Sequence, residues 1–320
     1  MRRLTSFPDK EGKTRTVAIF DYWSQIVLRS YHLIVNEILR KIPQDMTFNQ
    51  GLALDVLRID GRTWFSSFDI KGATDSIPMK LTSMLFEEIF GKEKREAWER
   101  IMIGDSFKTK DCRSVRYRTG QPMGAYSSWP MMALTHHLLV FIASKGVIPM
   151  KYCLLGDDIV LSGRRLCDSY RKLLHNLHIP IQYSKSHEGR VLYEFAKRVK
   201  YKDCEITPFP LGTLIESANS YALITSAFEQ AEARGWNFIT LPHKSWVKLF
   251  KSLGKGERLS WKLGHLAWAF KNRIKPFSND WIQSQEYTLS GIFNLNGLTL
   301  PCNYRDDNCK ALRDLYLQTT

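Results

Sequence analysis

Three aspartates, Asp69, Asp157 and Asp158, stand where two apolar segments could bring their carboxylates together. Asp69 ends the run Trp64-Phe65-Ser66-Ser67-Phe68, which is aromatic-rich and reads as a buried strand. Asp157 and Asp158 lie between Tyr152-Cys153-Leu154-Leu155 and Ile159-Val160-Leu161, two apolar runs joined through Gly156 in the manner of a tight hairpin. Oxygen donors from a strand end and a hairpin tip suit Mg²⁺, which takes carboxylates together with substrate phosphates. The chemistry for which such a set is fitted is in-line phosphoryl transfer, where positioning and charge neutralisation matter more than covalent participation by the protein. Taken alone, Gly156-Asp157-Asp158 is only a turn sequence. The three carboxylates gain meaning from the elements around them.

Those elements follow from spacing. Val17 to Phe20 reads as a strand, and Ile26, Leu33, Ile34, Ile38 and Ile42 give the following stretch helical periodicity. After Asp75, Ser76-Ile77-Pro78 makes a helix start, with Leu81, Leu85 and Ile89 on one face until Gly91 stops it. Asp75 is therefore expected just before a helix, either facing a ligand or capping that helix. Gly120 and Gly124 bracket a flexible loop ahead of a helix from Ser128 to Ala143, and glycines there would permit close backbone approach to a ligand. Ser127 and Ser128 could bond a ligand or cap the helix. His136 and His137 are adjacent, point about 100° apart and read as structural. Leu166, Tyr170, Leu173, Leu174 and Leu177 form another helical stripe ended by Pro180, and strands are expected at 179–183 and 194–198. This succession fits a palm of the βαββαβ kind.

In this order, KTRTVAIFDYWSQ at 13–25, DIKGATDSIP at 69–78, GQPMGAYSSWPMMALTHH at 120–137, GDDIVLSG at 156–163, YSKS at 183–186 and EFAKR at 194–198 resemble the RNA-dependent RNA polymerases of the mitovirus (narnavirus-like) branch. The resemblance runs from about Lys10 to about Tyr201. It implies an α+β right-hand polymerase: residues 1–60 the end of the fingers and a linking helix, 61–206 an antiparallel palm sheet with helices, and 207–320 a helical thumb. It implies RNA-templated RNA synthesis from nucleoside triphosphates, in the mitochondrion. Asp69 and Asp157, assisted by Asp158, would hold two Mg²⁺ ions, with Mn²⁺ as a substitute. Lys185 would protonate departing pyrophosphate, Lys13 and Arg15 would grip phosphates, and Asp75 with Ser127 would read the ribose. The strand with Glu194 to Arg198 would hold primer or product. Two departures accompany the match: Ser76 stands where relatives often carry Arg, and KTR comes almost at Met1, so incomplete fingers and little unaided primer extension are expected. The rivals are a non-catalytic remnant that keeps the fold and RNA binding, and a reverse transcriptase, against which Leu155-Gly156 before the paired aspartates and the presence of Asp75 both speak.

The charge balance agrees with a polyanionic partner. With 46 Lys and Arg against 32 Asp and Glu the net charge is +14, which attracts RNA through its phosphates and makes binding weaken with salt. Arg113, Arg116 and Arg118 lie in an alternating basic stretch suited to an RNA backbone, with Gly124 in the loop beyond, although a charged edge strand would look the same. The segment 244–275 is basic and aromatic, as a thumb along duplex RNA would be, and as a helical bundle would be too. Hydrophobic residues make up 44% of the chain, which excludes wholesale disorder. Six cysteines, at 112, 153, 167, 204, 302 and 309, show neither a CxxC pair nor metal-ligand spacing and read as reduced thiols. The most apolar stretch, MMALTHHLLVFIA, is broken by its histidines and too short to span a membrane.

Overall fold

The structure, a computed structural model, describes residues 2–8, 14–147, 151–202, 204–208, 212–213, 230–231, 234, 243–252 and 254–271. The chain divides into two compact units, Met1–Thr207 and Pro208–Thr320.

The first unit opens with an antiparallel pair, β1 (Arg3–Pro8) and β2 (Thr14–Ile19), followed by helix α1 (Tyr22–Arg40). Asp21 caps α1: its carboxylate accepts from the Ser24 backbone N–H at 2.9 Å, which holds its pKa below the ordinary value. After the short helix α2 (Ala53–Val56), strand β3 (Phe65–Asp69) runs through the interior. The single turn α3 (Ala73–Ser76) and helices α4 (Met79–Phe90) and α5 (Lys92–Glu99) come next. Gly91, at φ 89°, separates α4 from α5 where the periodicity predicts a stop. The basic stretch near 108–118 is not one strand. It folds into β4 (Phe107–Lys108) and β5 (Ser114–Val115) around a turn in which Cys112 takes φ 60°.

Helix α6 (Ser128–Ala143) occupies the bounds its sequence predicts, and twelve of its sixteen residues are buried. An apolar surface all round marks a central helix, whereas a surface helix would show one apolar stripe. The hairpin of β6 (Tyr152–Leu155) and β7 (Asp158–Ser162) follows, then α7 (Arg164–Asn176) and β8 (His187–Gly189). The main sheet has the order β6-β7-β3-β8, so β3 lies between β7 and β8, antiparallel to both. Strand, helices, hairpin, helix and strand thus reproduce the βαββαβ succession.

Side-chain alternation splits the core across this sheet. Phe68, Leu154, Ile159 and Leu161 face α6 and α7, while Phe65, Cys153 and Val160 face the opposite layer with Tyr193 and Phe195. That layer holds β9 (Leu192–Phe195), β10 (Arg198–Tyr201) and β11 (Cys204–Glu205). Two expectations need correction here. Residues 179–183 form no strand, only a bridge of Ile181 to Ile70 flanked by single bonds, because Pro180 lacks an N–H to extend a ladder. Residues 194–198 are not one strand either. Ala196 and Lys197 both adopt left-handed backbone, at φ 50° and 62°, and reverse the chain into β10.

In the second unit two helices pair, His243–Ser252 and Glu257–Lys271, with Trp246, Phe250, Leu263 and Ala267 buried between them and around them. Trp246 is therefore a core residue of this unit. Residues 272–275 of the basic aromatic segment, and Cys302 and Cys309, lie outside the described residues. The other four cysteines are free thiols. Among the described residues no helix is long and apolar enough to cross a membrane.

Candidate active site

The antiparallel register sets Asp69, the last residue of β3, directly opposite Asp158, the first of β7. Asp157 occupies the intervening turn beside Gly156, whose φ of 63° allows the two-residue reversal between β6 and β7. All three carboxylates line one cleft of about 1270 Å³, together with Arg15, Asp75, Arg116 and Lys185. Lys185 places Nζ 3.7 Å from Asp69 Oδ2. Asp69 is only partly exposed, with 22% of its side chain open to solvent, so this pair is a half-screened ion pair.

The charges strain one another. Burial raises the pKa of Asp158 to about 6, and the neighbouring Asp157, Asp69 and Glu194 push it the same way. Asp157 is also raised, by desolvation and then by Asp69, while Arg15 and Lys185 pull it back. By solvent exposure Asp157 is open and Asp158 half-buried, yet desolvation in the cleft is the largest cause for both. Burial raises Asp75 as well. Burial and the charge of Asp75 together push the Tyr117 hydroxyl up to about 12.

A consequence for stability can be measured on the metal-free protein in chelator. A carboxyl whose folded pKa, about 6, exceeds its ordinary 3.8 stabilises the fold fully below the ordinary value, and that contribution is lost as pH rises through 6. Asp158→Asn should therefore stabilise the fold at pH 7.5 by about 1–2 kcal/mol, after a discount for solvent screening in the cleft, and leave it unchanged near pH 3.5. Denaturant midpoints at the two pH values check this, and an equal effect at both would show that Asp158 is not electrostatically strained.

Around the carboxylates the backbone is closely fitted. A Cβ on Gly120 would lie 2.2 Å from the Thr74 carbonyl oxygen and 2.5 Å from Asp75 Cα. On either side, Gln121 N donates to Thr74 O at 2.8 Å and Met79 N donates to Thr119 O at 2.6 Å. The glycine expected to approach a ligand thus approaches the Asp75 turn itself. Gly124 plays a similar part. At φ 106°, a Cβ there would meet Ala18 O and Val17 Cγ1, each at 2.6 Å, and its carbonyl accepts from Gln25 Nε2 at 2.8 Å.

The expected residues are not all brought together. Asp69, Asp75, Asp157, Asp158, Lys185, Arg15 and Arg116 line the cleft, whereas Arg113, Arg118 and Gly124 are exposed outside its lining. Lys13 lies outside the described residues. Ser127 does not reach the cleft in this structure. It is wholly buried, and its Oγ accepts from Trp98 Nε1 at 2.9 Å beneath a ring that stacks on Phe86. Glu194 and Lys197, from the run expected to hold primer or product, also line the cleft, as does Trp129, to which the sequence assigned no individual role. The hairpin that presents Glu194 and Lys197 turns on Ala and Lys, which lack the Asn-Gly or Asp-Gly mark of such turns.

Among the described residues no three His, Cys, Asp or Glu side chains form a group that could hold a metal ion by themselves. The hard oxygen donors still suit Mg²⁺, since that ion keeps several waters and takes one or two carboxylates plus substrate phosphates. The crowded negative charge around Asp158 is relieved by any cation placed there.

The family model described as mitovirus RNA-dependent RNA polymerase matches residues 1–286. The RNA-directed RNA polymerase of Cryphonectria parasitica mitovirus 1 is 36% identical over 207 residues, which is 62% of this chain and 25% of that protein. An uncharacterized mitochondrial protein of Arabidopsis thaliana is 33% identical over 198 residues, 56% of this chain and 77% of that one. The chain therefore spans about a quarter of the length of the viral relative it matches. Among solved structures, an insertion-loop deletion mutant of the RNA-dependent RNA polymerase of a human picorbirnavirus aligns with a TM-score of 0.55 at 13% identity, covering 98% of this chain and 64% of that chain. Apo telomerase from Candida Tropicalis aligns at 0.51 with 10% identity, covering 91% and 62%. At these identities the likeness is one of fold, the right-hand polymerase.

Proposed function

The chain belongs to the mitovirus RNA-dependent RNA polymerase family, and from that premise we propose that its cleft carries out RNA-templated RNA synthesis from nucleoside triphosphates. The observation that carries this reading is the register of Asp69 against Asp158, with Asp157 in the adjoining turn, at one end of one cleft. Asp69, Asp157 and Asp158 would hold two Mg²⁺ ions, or Mn²⁺ in their place, which when bound neutralise the attacking and leaving oxygens. Lys185 partly balances Asp69 and donates a proton from Nζ to the leaving pyrophosphate. Arg15 meets the triphosphate from β2, where a guanidinium can hold two phosphate oxygens at once. Asp75 reads the ribose, its position fixed by the backbone of residues 119–121. Arg116 lies where RNA phosphates would pass; Arg113 and Arg118 extend the same basic loop outside the cleft. Fingers end, palm and thumb at 1–60, 61–206 and 207–320 belong to this reading. So does a mitochondrial setting, supported by Arabidopsis relatives named as mitochondrial proteins.

Substrate choice tests it. On a primed RNA template, ribonucleotides should be incorporated in preference to deoxyribonucleotides, and Asp75→Ala should reduce that preference by roughly tenfold or more, because a site built to bond a hydroxyl loses its grounds for rejecting substrates without one. Preference for deoxyribonucleotides by the unaltered chain would instead make it a reverse transcriptase.

A further inference from the structure

The turn that presents Asp157 is gripped from behind. His136 on α6 is fully buried and places Nδ1 2.9 Å from the Gly156 carbonyl oxygen and Nε2 2.5 Å from the Tyr170 hydroxyl. A carbonyl oxygen can only accept, so Nδ1 carries a proton. Burial depresses the imidazole pKa and keeps the ring neutral, which leaves Nε2 bare to accept from the Tyr170 O–H. Tyr170 is itself wholly buried on α7. Directed bonds thus run from α7 through α6 to the turn. Trp129, seven residues earlier on α6, closes the remaining side: a Cβ on Gly156 would meet its Nε1 at 3.0 Å.

The Gly156 carbonyl belongs to the same planar peptide unit as the Asp157 amide nitrogen. Pinning that oxygen fixes the plane from which Asp157 Cα departs, and so the direction in which its carboxylate enters the cleft. His137, the next residue, turns away to Asp45 and Tyr152, so the two histidines are not interchangeable.

We propose that His136 is a positioning residue, whose Nδ1–H bond to the Gly156 carbonyl, oriented by Tyr170, aims Asp157 into the cleft. Its effect on catalysis rests on the polymerase reading; the positioning does not.

Two measurements need no activity. Nitrogen-15 NMR of labelled histidine should show His136 as the Nδ1–H tautomer, which the Gly156 carbonyl requires. Hydrogen exchange across residues 153–160 should accelerate roughly tenfold or more in Tyr170→Phe and His136→Leu, as expected when a buried bond that closes a local unit is lost. His136→Asn should restore slow exchange, because the Asn amide nitrogen takes the place of Nδ1. Thr135→Val removes buried bonds to Met131 O and Thr82 Oγ1 on the same helix, and should leave the turn's exchange unchanged. If His136→Leu does not fold, Tyr170→Phe carries the test. An Nε2–H tautomer in the unaltered protein, unchanged exchange in Tyr170→Phe, or equal acceleration by Thr135→Val would overturn the proposal. Exchange and tautomer as expected, with no RNA synthesis by the unaltered protein either alone or with the remainder of a longer relative supplied, would sink the polymerase reading and leave the positioning intact.

Discussion

Asp157→Asn should lower templated incorporation by roughly a thousandfold or more, the scale on which preorganised electrostatic stabilisation acts, while the fold stays intact. The amide keeps the size and shape of the carboxylate but not the charge that would hold a divalent ion. Asp157 sits in a turn exposed to the cleft, outside the two core clusters, so its replacement disturbs no packing. Its charge is moreover unfavourable in the cleft when no cation is bound, since desolvation and Asp69 both raise its pKa. The variant should therefore melt no lower than the unaltered chain at pH 7.5 in chelator. Loss of function with retained or increased stability marks a group kept for chemistry at a cost to the fold. If Asp157→Asn loses activity only because it unfolds, the carboxylate has a structural role that the geometry does not show.

The second large effect concerns Gly120. A methyl group there would sit 2.2 Å from a carbonyl oxygen and 2.5 Å from the Cα of Asp75, and the obstructing atoms are backbone. No rotamer change relieves such a clash, so the segments must part and lose the bonds from Gln121 N and Met79 N. Gly120→Ala should destabilise the first unit by about 3 kcal/mol or more, at or above the usual range for overpacking. Gly256→Ala supplies the control, because a Cβ there meets nothing within 4 Å, and it should change stability by less than about 0.5 kcal/mol. Equal stabilities for the two variants would mean that residues 119–121 and the Asp75 turn are not packed as described.

Much of the palm is legible in the residues because local and long-range requirements coincide there. The runs flanking Asp69 and Asp157 are apolar on both faces, as a sheet covered by helices on one side and a second sheet on the other requires. Gly91 and the apolar girth of α6 set helix bounds that need no tertiary information. The failures have physical reasons too. Ser127 carries a hydroxyl at a helix start and so resembles a ligand-binding residue, but its partner, Trp98, is 29 positions away, and sequence alone does not show that bond. The glycines at 120 and 124 do permit close approach, as expected, yet the approaching atoms belong to the chain itself. The hairpin after Phe195 turns on two residues that rarely adopt left-handed backbone, and the packing of Tyr193 and Phe195 against Phe65 and Val160 imposes what local preference would not. His136 reads correctly as structural. That it reaches the very turn carrying the aspartates emerges only when α6 lies beneath the hairpin.

The central claim is that facing carboxylates on β3 and β7 serve templated RNA synthesis. The most direct test is sequence-matched incorporation of labelled ribonucleotides on a defined primed RNA template, with Mg²⁺ and then with chelator. It should be run with the chain alone and with the remainder of a longer mitovirus relative supplied as a separate polypeptide. The account predicts a Mg²⁺-dependent copy of the template in at least one of these settings, absent with Asp69→Asn and with Asp157→Asn. Incorporation that survives both substitutions, or a correctly folded chain that makes no copy in either setting, would contradict it.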